Sequence, residues 1–317
     1  MTTANGGPVA ATDLDDAAEI RRIDRGGMLG TVLALGEQCR EGFAVGRDTS
    51  PLPSVDDVTS IAVCGMGGSA IAGDVLRALA ADRVHVPVEV IRSPELPAFV
   101  RSDTLVVASS YSGSTAETLT LFDEALARGA RPLAITSGGE LARRAAEAGV
   151  PVVAVPTGLM PRAAFGYLTL GTLGALASAG LLARVEEDLE EAIQAMRRVV
   201  EACGPDVAST TNVAKALARR IGDRPVIVWG ADGVGAVAAT RWKAQFNENA
   251  KLPAFASALP ELDHNEVVGW SEGRGSGFAL VALRHGGEHA DVARRFPLSL
   301  EIARASGVAV EEMRASA

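Results

Sequence analysis

Short apolar runs alternate with helical segments along most of this chain, and this alternation limits its fold more than any other feature. Strands that are joined through helices run parallel, because the chain crosses back over the sheet before the next strand begins. The sequence therefore predicts an α/β protein with doubly wound, flavodoxin-like parallel sheets that carry helices on both faces. The predicted strands are Ile61–Cys64, Val86–Ile91, Thr104–Ala108, Arg131–Ile135, Val152–Val155, Val226–Trp229, Phe278–Leu283 and Val308–Val310.

The predicted helices fill the intervals between these strands. Residues 13–45 and 161–222 also have helical spacing, the latter with a break at Gly204-Pro205. Residues 1–12 are rich in Gly, Ala and Thr, and we expect them to be loose. The helices between the strands are predicted at Ser69–Ala81, Thr115–Arg128, Leu141–Ala148, Val234–Ala250 and Ala290–Arg304.

The alternation starts twice, and the two starts are alike. Each has a strand, a glycine turn and a helix start, and Gly65 and Gly68 of the first align with Gly230 and Gly233 of the second. We interpret them as two copies of one α/β unit. The resulting division is an N-terminal helical extension (1–55), a first α/β domain (56–160), connecting helices (161–222) and a second α/β domain (223–317).

The composition fits a globular protein and disfavours several other classes. Hydrophobic residues make up 48% of the 317 residues, which is enough for two domains. The net charge of −9 and the lack of a Lys/Arg cluster argue against nucleic-acid binding. The three cysteines are far apart and suggest neither disulfides nor a zinc site, which favours a cytoplasmic location. No metal or cofactor is expected.

We expect no membrane attachment. Residues 1–20 are acidic and lack the apolar core of a signal peptide. The longest apolar stretch, Ala163–Ala183, has polar residues throughout, so a buried helix explains it better than a membrane span.

The stretch 104–120 carries the clearest indication of function. A buried strand is followed by residues 109–115, in which every residue except the glycine bears a hydroxyl, and a helix begins next. The N–H groups and the positive dipole end of a helix N-terminus attract anions, and Ser110, Ser112 and Thr115 add hydroxyl donors. The loop has no lysine and does not match a P-loop. The pattern predicts a phosphate monoester held by neutral donors.

Two other interpretations fit these segments less well. Helix capping alone would need one Ser or Thr residue, not five. Residues 65–70 fit the dinucleotide fingerprint G-x-G-x-x-A, but that fingerprint requires an acidic residue at the end of the next strand. Glu89 lies inside its apolar run instead. Two phosphate-binding loops on neighbouring strands fit a sugar phosphate better than a nucleotide.

A second polar segment, Arg241–Trp270, holds the other candidate residues. Glu248 lies at the end of a predicted helix, and His264 lies in a turn after Pro260, among Asp and Asn. Most helical glutamates form a solvated face, and a histidine in a turn often caps a helix or lies on the surface. From their chemistry alone, catalytic and structural roles are equally open for both residues.

Four further segments stand out: GMGGSAIAGD at 65–74, SYSGSTAET at 110–118, PRAAFGYLTLG at 161–171 and NENAKLPAFASALPELDHNEVVGW at 247–270. Together they resemble the bifunctional phosphoglucose/phosphomannose isomerases. This family is a branch of the phosphoglucose isomerase superfamily built from two SIS (sugar isomerase) domains, and the resemblance covers about residues 15–317. A SIS domain alone would supply the first two segments, whereas the last belongs to this branch.

The resemblance implies an isomerase that interconverts glucose 6-phosphate and mannose 6-phosphate with fructose 6-phosphate through a cis-enediol(ate). It makes Arg162 the active-site arginine, Glu248 the general base and His264 the ring-opening histidine. It also implies a homodimer in which that histidine is donated across the subunit interface. The phosphorylated hexose would be held by a set of residues that we call the cradle: Gly67, Gly68, Ser69, Ser110, Ser112 and Thr115.

The sequence departs from the family pattern at its end. Family members continue past the strand equivalent to Val308–Val310 into a helix with a catalytic lysine, and we expect this chain to lack that helix. Lys243 and Lys251 are not its counterparts. The alternative is therefore a SIS protein that binds sugar phosphates without turnover. Two other functions of SIS proteins fit less well. A transcription regulator would need a basic helix-turn-helix, and a sugar-phosphate aminotransferase would need a glutaminase domain.

Overall fold

A computed structural model describes residues 13–315 of the chain. The described residues form two compact units. The first unit comprises residues 31–196, and the second comprises residues 197–315 with residues 13–30. Each unit is built on one parallel sheet, which confirms the predicted α/β class. The prediction for residues 1–12 lies outside the described residues.

The sheet of the first unit confirms the five strands that the sequence predicts there, with small shifts at their ends. These strands are β1 (Ser60–Cys64), β2 (Val88–Ile91), β3 (Thr104–Ser109), β4 (Arg131–Thr136) and β5 (Val152–Ala154). They pair in the order β2-β1-β3-β4-β5, and every neighbouring pair is parallel. This is the flavodoxin-like order, in which the chain reverses its direction of travel between β1 and β3.

The helices before the second sheet follow the predicted pattern. The N-terminal helical segment contains three helices rather than one, and the segment after β5 begins with a 3₁₀ turn at Pro161–Ala163. The helices are α1 (Ala17–Ile23), α2 (Met28–Leu33), α3 (Leu35–Arg47), α4 (Gly67–Ala80), α5 (Ala116–Ala127), α6 (Gly139–Glu147), α7 (Phe165–Ser178) and α8 (Val185–Cys203).

Helices cover both faces of the first sheet because successive strand side chains point to opposite faces. On one face, Val63 and Val107 pack in a cluster with residues of α3, α4 and α7. On the other face, Ala62 and Val106 pack against α5, and Ala108 packs against α5 and α6. The doubly wound arrangement is therefore confirmed.

The apolar stretch Ala163–Ala183 forms the buried helix α7, as predicted. Its backbone touches that of α3: a Cβ atom on Gly46 would lie 2.0 Å from the carbonyl oxygen of Gly171, and one on Gly174 would lie 2.3 Å from that of Phe43. Glycine is needed at this crossing because any side chain would separate the two helices. Across residues 13–315, none of the helices combines the length and apolarity that a membrane span requires.

The sheet of the second unit repeats the strand order of the first. Its strands are β6 (Val226–Ala231), β7 (Ala254–Leu259), β8 (Ala279–Arg284) and β9 (Ala309–Arg314). They pair in the order β7-β6-β8-β9, all parallel, which matches β2-β1-β3-β4 and confirms the internal repeat. The sequence interpretation missed β7, an edge strand rich in alanine, a residue that strands disfavour.

The helices of the second unit also cover both faces of their sheet. Trp229 packs with Phe296 and Leu300 on one face, and Val228 packs with Leu217 and Ala239 on the other. The predicted helix Val234–Ala250 is confirmed, but its last part, Phe246–Ala250, is a π turn rather than α-helix. The helices are α9 (Val213–Ile221), α10 (Val234–Gln245), α11 (Glu266–Gly269) and α12 (Ala290–Ala305).

Candidate functional site

The structure distributes the candidate residues over both units. The six cradle residues and Arg162 belong to the first unit, whereas Glu248 and His264 belong to the second. The cradle residues follow the carboxyl ends of β1 and β3, and His264 follows that of β7, as the predicted topology requires. Glu248 instead lies just before the start of β7. Each group is described in its own unit below.

The cradle is formed by the loops that follow β1 and β3, two neighbouring strands at the centre of the first sheet. Parallel pairing places both loops at the same edge of the sheet. A Cβ atom on Gly65 would lie 2.9 Å from the carbonyl oxygen of Ser109, so the absence of a side chain lets the loops touch. The two predicted loops therefore meet.

Thr115 precedes α5 but its side chain does not cap that helix. Its hydroxyl lies 2.9 Å from the hydroxyl of Ser110, whose side chain is almost fully buried. Within the described chain, no side chain caps α4 either. Two helix N-termini thus keep their positive dipole ends and free N–H groups, which are the donors that an anion requires. The helix-capping interpretation of this loop is wrong.

The two cradle loops are also hydrogen-bonded to each other. The backbone N–H of Tyr111 donates to the Oγ atom of Ser69 at 3.2 Å, deep in the protein. Ser112 is exposed, and its Oγ accepts from the backbone N–H of Ser114 at 3.3 Å. Between them Gly113 adopts a φ of +66°, which residues other than glycine rarely adopt. The loop is therefore held in one shape.

Arg162 lies in the 3₁₀ turn Pro161–Ala163, directly against the start of α4. A Cβ atom on Gly68 would lie 2.9 Å from the carbonyl oxygen of Pro161 and 3.3 Å from the Cα atom of Arg162. The glycine thus allows this turn to approach the helix N-terminus. The backbone of Arg162 therefore lies beside the cradle, whose own residues carry no charge.

Glu248 lies at the centre of the π turn Phe246–Ala250. Such turns are rare and frequently occur at functional sites. The turn is fixed on both sides: the Oδ1 atom of Asn247 accepts from the backbone N–H of Ala254 at 2.8 Å, and Lys251 Nζ donates to the Glu248 carbonyl oxygen at 2.7 Å. Lys251 is thereby engaged with the backbone, which agrees with leaving it out of the catalytic set.

Arg241, on α10, lies near Glu248, and the sequence analysis did not single it out. Burial lowers the pKa of its guanidinium below the ordinary value, and the nearby Glu248 carboxylate acts in the opposite direction. Arginine stays protonated under all ordinary conditions, so a half-buried positive charge lies close to Glu248. The sequence did offer one indication of this contact. Arg241 and Glu248 lie in the same predicted helix, and residues one or two turns apart share a helix face.

His264 ends the 3₁₀ turn Glu261–His264, and its side chain is exposed. Its backbone is anchored on both sides. Before it, Leu262 is buried in the core of the second unit, and after it Glu266 accepts a hydrogen bond from the indole of Trp229. The imidazole therefore projects from a rigid support, as a group that acts on a ligand requires. In the described part of the chain, no three His, Cys, Asp or Glu side chains are placed to hold a metal ion.

Two family models match the chain. One describes the SIS domain and matches residues 56–160, which include the cradle. The other describes the bacterial phospho-glucose isomerase C-terminal SIS domain and matches residues 210–317, which include Glu248 and His264. Both sheets therefore belong to SIS-type domains.

Individual relatives agree with these models. A "bifunctional phosphoglucose/phosphomannose isomerase" from Caldicellulosiruptor bescii is 40% identical over 76% of this chain and 71% of its own length. A "D-glucosamine-6-phosphate 4-epimerase" from Sulfolobus acidocaldarius is 36% identical over 76% of this chain and 72% of its own.

Among solved structures, the tagatose-6-phosphate ketose/aldose isomerase from Escherichia coli shares the fold. It superimposes with a TM-score of 0.63 at 15% identity and covers 98% of this chain and 84% of its own. At that identity the likeness concerns architecture only. The chain thus has two parallel sheets, two SIS matches and 40% identity over 76% of its length to one relative. It belongs to the bifunctional phosphoglucose/phosphomannose isomerase family.

Proposed function

We propose that this protein is an aldose–ketose isomerase that interconverts glucose 6-phosphate and mannose 6-phosphate with fructose 6-phosphate. The observation that carries the proposal is the cradle. Two uncapped helix N-termini and the paired hydroxyls of Ser110 and Thr115 meet at the switch point of a doubly wound sheet. This arrangement suits a dianionic phosphate monoester. Membership of the isomerase family supports the choice of reaction.

Three side chains carry out the reaction. His264 transfers the proton that opens the cyclic sugar. The Glu248 carboxylate removes the proton from C2, which leaves a cis-enediol(ate), and returns it to C1. The proton of O2 passes to O1, so that O2 becomes the ketone oxygen and O1 a hydroxyl. Arg162 stabilises the negative charge that develops on the enediolate oxygens. Return of the proton to either face of C2 in the reverse direction gives glucose or mannose 6-phosphate.

The assembly belongs to the same proposal. The side chain of His264 is exposed on the second unit, and a homodimer would allow it to enter the site of the other subunit. The arrangement of the cysteines, with Cys39 and Cys64 buried as free thiols, supports a reducing cytoplasmic location.

A coupled assay on the full-length protein tests the reaction. We expect turnover of both glucose 6-phosphate and mannose 6-phosphate, and a fall in kcat of at least about 100-fold for Glu248→Gln, the size of a lost general base. Glu301→Gln changes an exposed glutamate on α12 and is the matched control, with wild-type rates expected. Equal rates for Glu248→Gln and wild type would remove Glu248 from the role of the base.

The same assay separates the alternatives. Binding of fructose 6-phosphate without any turnover would contradict the proposal and favour a sugar-phosphate-binding protein. Inversion at C4 of glucosamine 6-phosphate, without aldose–ketose exchange, would contradict it in favour of the activity for which the Sulfolobus relative is named.

A further inference from the structure

Tyr111 connects the loops that follow four of the five strands in the first sheet. It lies in the loop after β3, and its backbone N–H donates to the hydroxyl of Ser69, in the first turn of α4 directly after the loop that follows β1. Its carbonyl oxygen accepts from the backbone N–H and the hydroxyl of Ser137, after β4, at 3.0 and 2.7 Å. Its side chain is 5% exposed and reaches the loop after β5.

The phenol oxygen uses both of its hydrogen-bonding capacities on that last loop. It donates to the carbonyl oxygen of Pro156 at 2.9 Å and accepts from the backbone N–H of Leu159, also at 2.9 Å. Most of this segment is exposed, and Gly158 has a φ of +93°. A segment with so little burial depends on such bonds for a fixed position. The two bonds therefore determine where the loop lies on the sheet.

This loop leads directly to Arg162. The backbone N–H of Ala163 donates to the carbonyl oxygen of Met160 at 2.8 Å, so the 3₁₀ turn begins immediately after the segment that Tyr111 holds. The other fixed point of the turn is its close contact with Gly68. Arg162 thus lies between an anchor at the phenol and an anchor at the cradle.

We propose that Tyr111 is a positioning residue that sets the place of the Arg162 guanidinium relative to the cradle through its hydroxyl group. The inference rests on the proposed function, because it assigns Arg162 to the charge that develops during isomerisation. Displacement of a stabilising group by about 1 Å can reduce a rate roughly 100-fold. A single oxygen atom remote from the substrate therefore controls the catalytic step.

The two kinds of hydrogen bond that Tyr111 makes can be separated. Tyr111→Phe removes the phenol oxygen but keeps the ring and the backbone bonds to Ser69 and Ser137. The cradle should therefore keep its shape and its affinity for phosphate. The enediolate charge exists only along the reaction path, so a displaced Arg162 lowers kcat and leaves binding unchanged.

The experiment compares the chain's two tyrosines in the full-length protein. Tyr167→Phe is the control, because the Tyr167 hydroxyl is also half-buried in a contact, with Glu41, that does not involve the cradle. For Tyr111→Phe we expect kcat with glucose 6-phosphate to fall about 10- to 100-fold, while the Kd of inorganic phosphate, measured by calorimetry, changes less than about twofold. Tyr167→Phe should match wild type in both.

A double-mutant cycle with Arg162→Gln tests the route of the effect. If Tyr111 acts through Arg162, Tyr111→Phe lowers kcat no further in the Arg162→Gln background. A further fall of the full size, a kcat unchanged in the single variant, or a loss of phosphate affinity as large as the loss of kcat would each overturn the positioning role. An inactive wild-type protein would instead contradict the proposed function. A thermal melt confirms that each variant is folded.

Discussion

The indole N–H of Trp229 donates to the Oε1 atom of Glu266 at 2.8 Å, and this bond ties the centre of the second sheet to the segment that carries His264. Trp229 is fully buried, so its N–H has no access to water. On the other side of the histidine, the hydroxyl of Ser299 donates to the Oδ1 atom of Asp263 at 2.7 Å. The segment of an exposed histidine is thereby held by two partly buried hydrogen bonds.

Glu266→Ala removes the acceptor of the buried indole N–H. We expect the free energy of unfolding to fall by about 1–3 kcal/mol, the cost of leaving such a donor unpaired. Glu266→Gln keeps a carbonyl acceptor at the same place and should cost less than about 1 kcal/mol. Urea denaturation of the full-length variants measures both, and an equal loss in the two variants would contradict this account.

Ser110→Ala tests the cradle. Hydrogen bonds to charged groups contribute about 1.5–3 kcal/mol, so we expect inorganic phosphate to bind roughly 10- to 100-fold more weakly. Ser114→Ala is the control, because the hydroxyl of this exposed serine donates to the carbonyl oxygen of Ser112 within its own loop. Titration calorimetry gives both affinities. Equal affinities for the Ser110 variant and wild type would place the anion elsewhere.

Gly113→Ala tests whether the shape of the cradle loop depends on close contact. A Cβ atom there would lie 1.8 Å from the carbonyl oxygen of Gly138. Gly149 has the same φ of +66° but open space around it, so Gly149→Ala measures the backbone strain alone, about 1–2 kcal/mol. We expect Gly113→Ala to lower the free energy of unfolding by about 1–3 kcal/mol more, together with a loss of phosphate binding. Equal effects would show that the contact is unimportant.

Asp15 makes the stability of the second unit depend on pH. A hydrogen bond from Lys215, and a further one from Ser209, lower the pKa of the Asp15 carboxyl below its ordinary value. A lowered pKa means that the contribution is present above the pKa of the unfolded chain and is lost as the pH falls through that of the folded protein. We expect Asp15→Asn to lose less stability than wild type between pH 7 and acid conditions. Denaturant titrations at several pH values check this, and identical slopes would contradict it.

Most of the architecture could be predicted from the sequence because it depends on apolar periodicity. Buried parallel strands are continuous apolar runs, and β1, β3, β4, β6 and β8 were found on that basis. Strand β7 was missed because Phe255 is exposed and the neighbouring positions are small, so the segment lacks a core pattern. The two compact units are defined by contacts between residues and do not test the predicted division into four parts, which stays a prediction.

The candidate site was predictable where it depends on local chemistry. The hydroxyls of Ser110 and Thr115 follow a strand and precede a helix, and this order alone indicates an anion site. The role of Tyr111 was not predictable, because its partners Pro156 and Leu159 are distant in sequence and come close only in the fold. The catalytic roles of Glu248, His264 and Arg162 remain predictions that the proposed assays test.

The π turn that carries Glu248 holds more residues per turn than the helix that precedes it. Each residue turns an α-helix by about 100°, so the loss of a single residue between Gln245 and Ala250 would let the segment relax into a regular helix and swing the carboxylate round its axis. An in-frame deletion of one codon here would redirect the acid group. What distinguishes this segment from the rest of its helix is therefore its response to a change in length, rather than to a change in residue type: one residue fewer alters the direction of the Glu248 carboxylate.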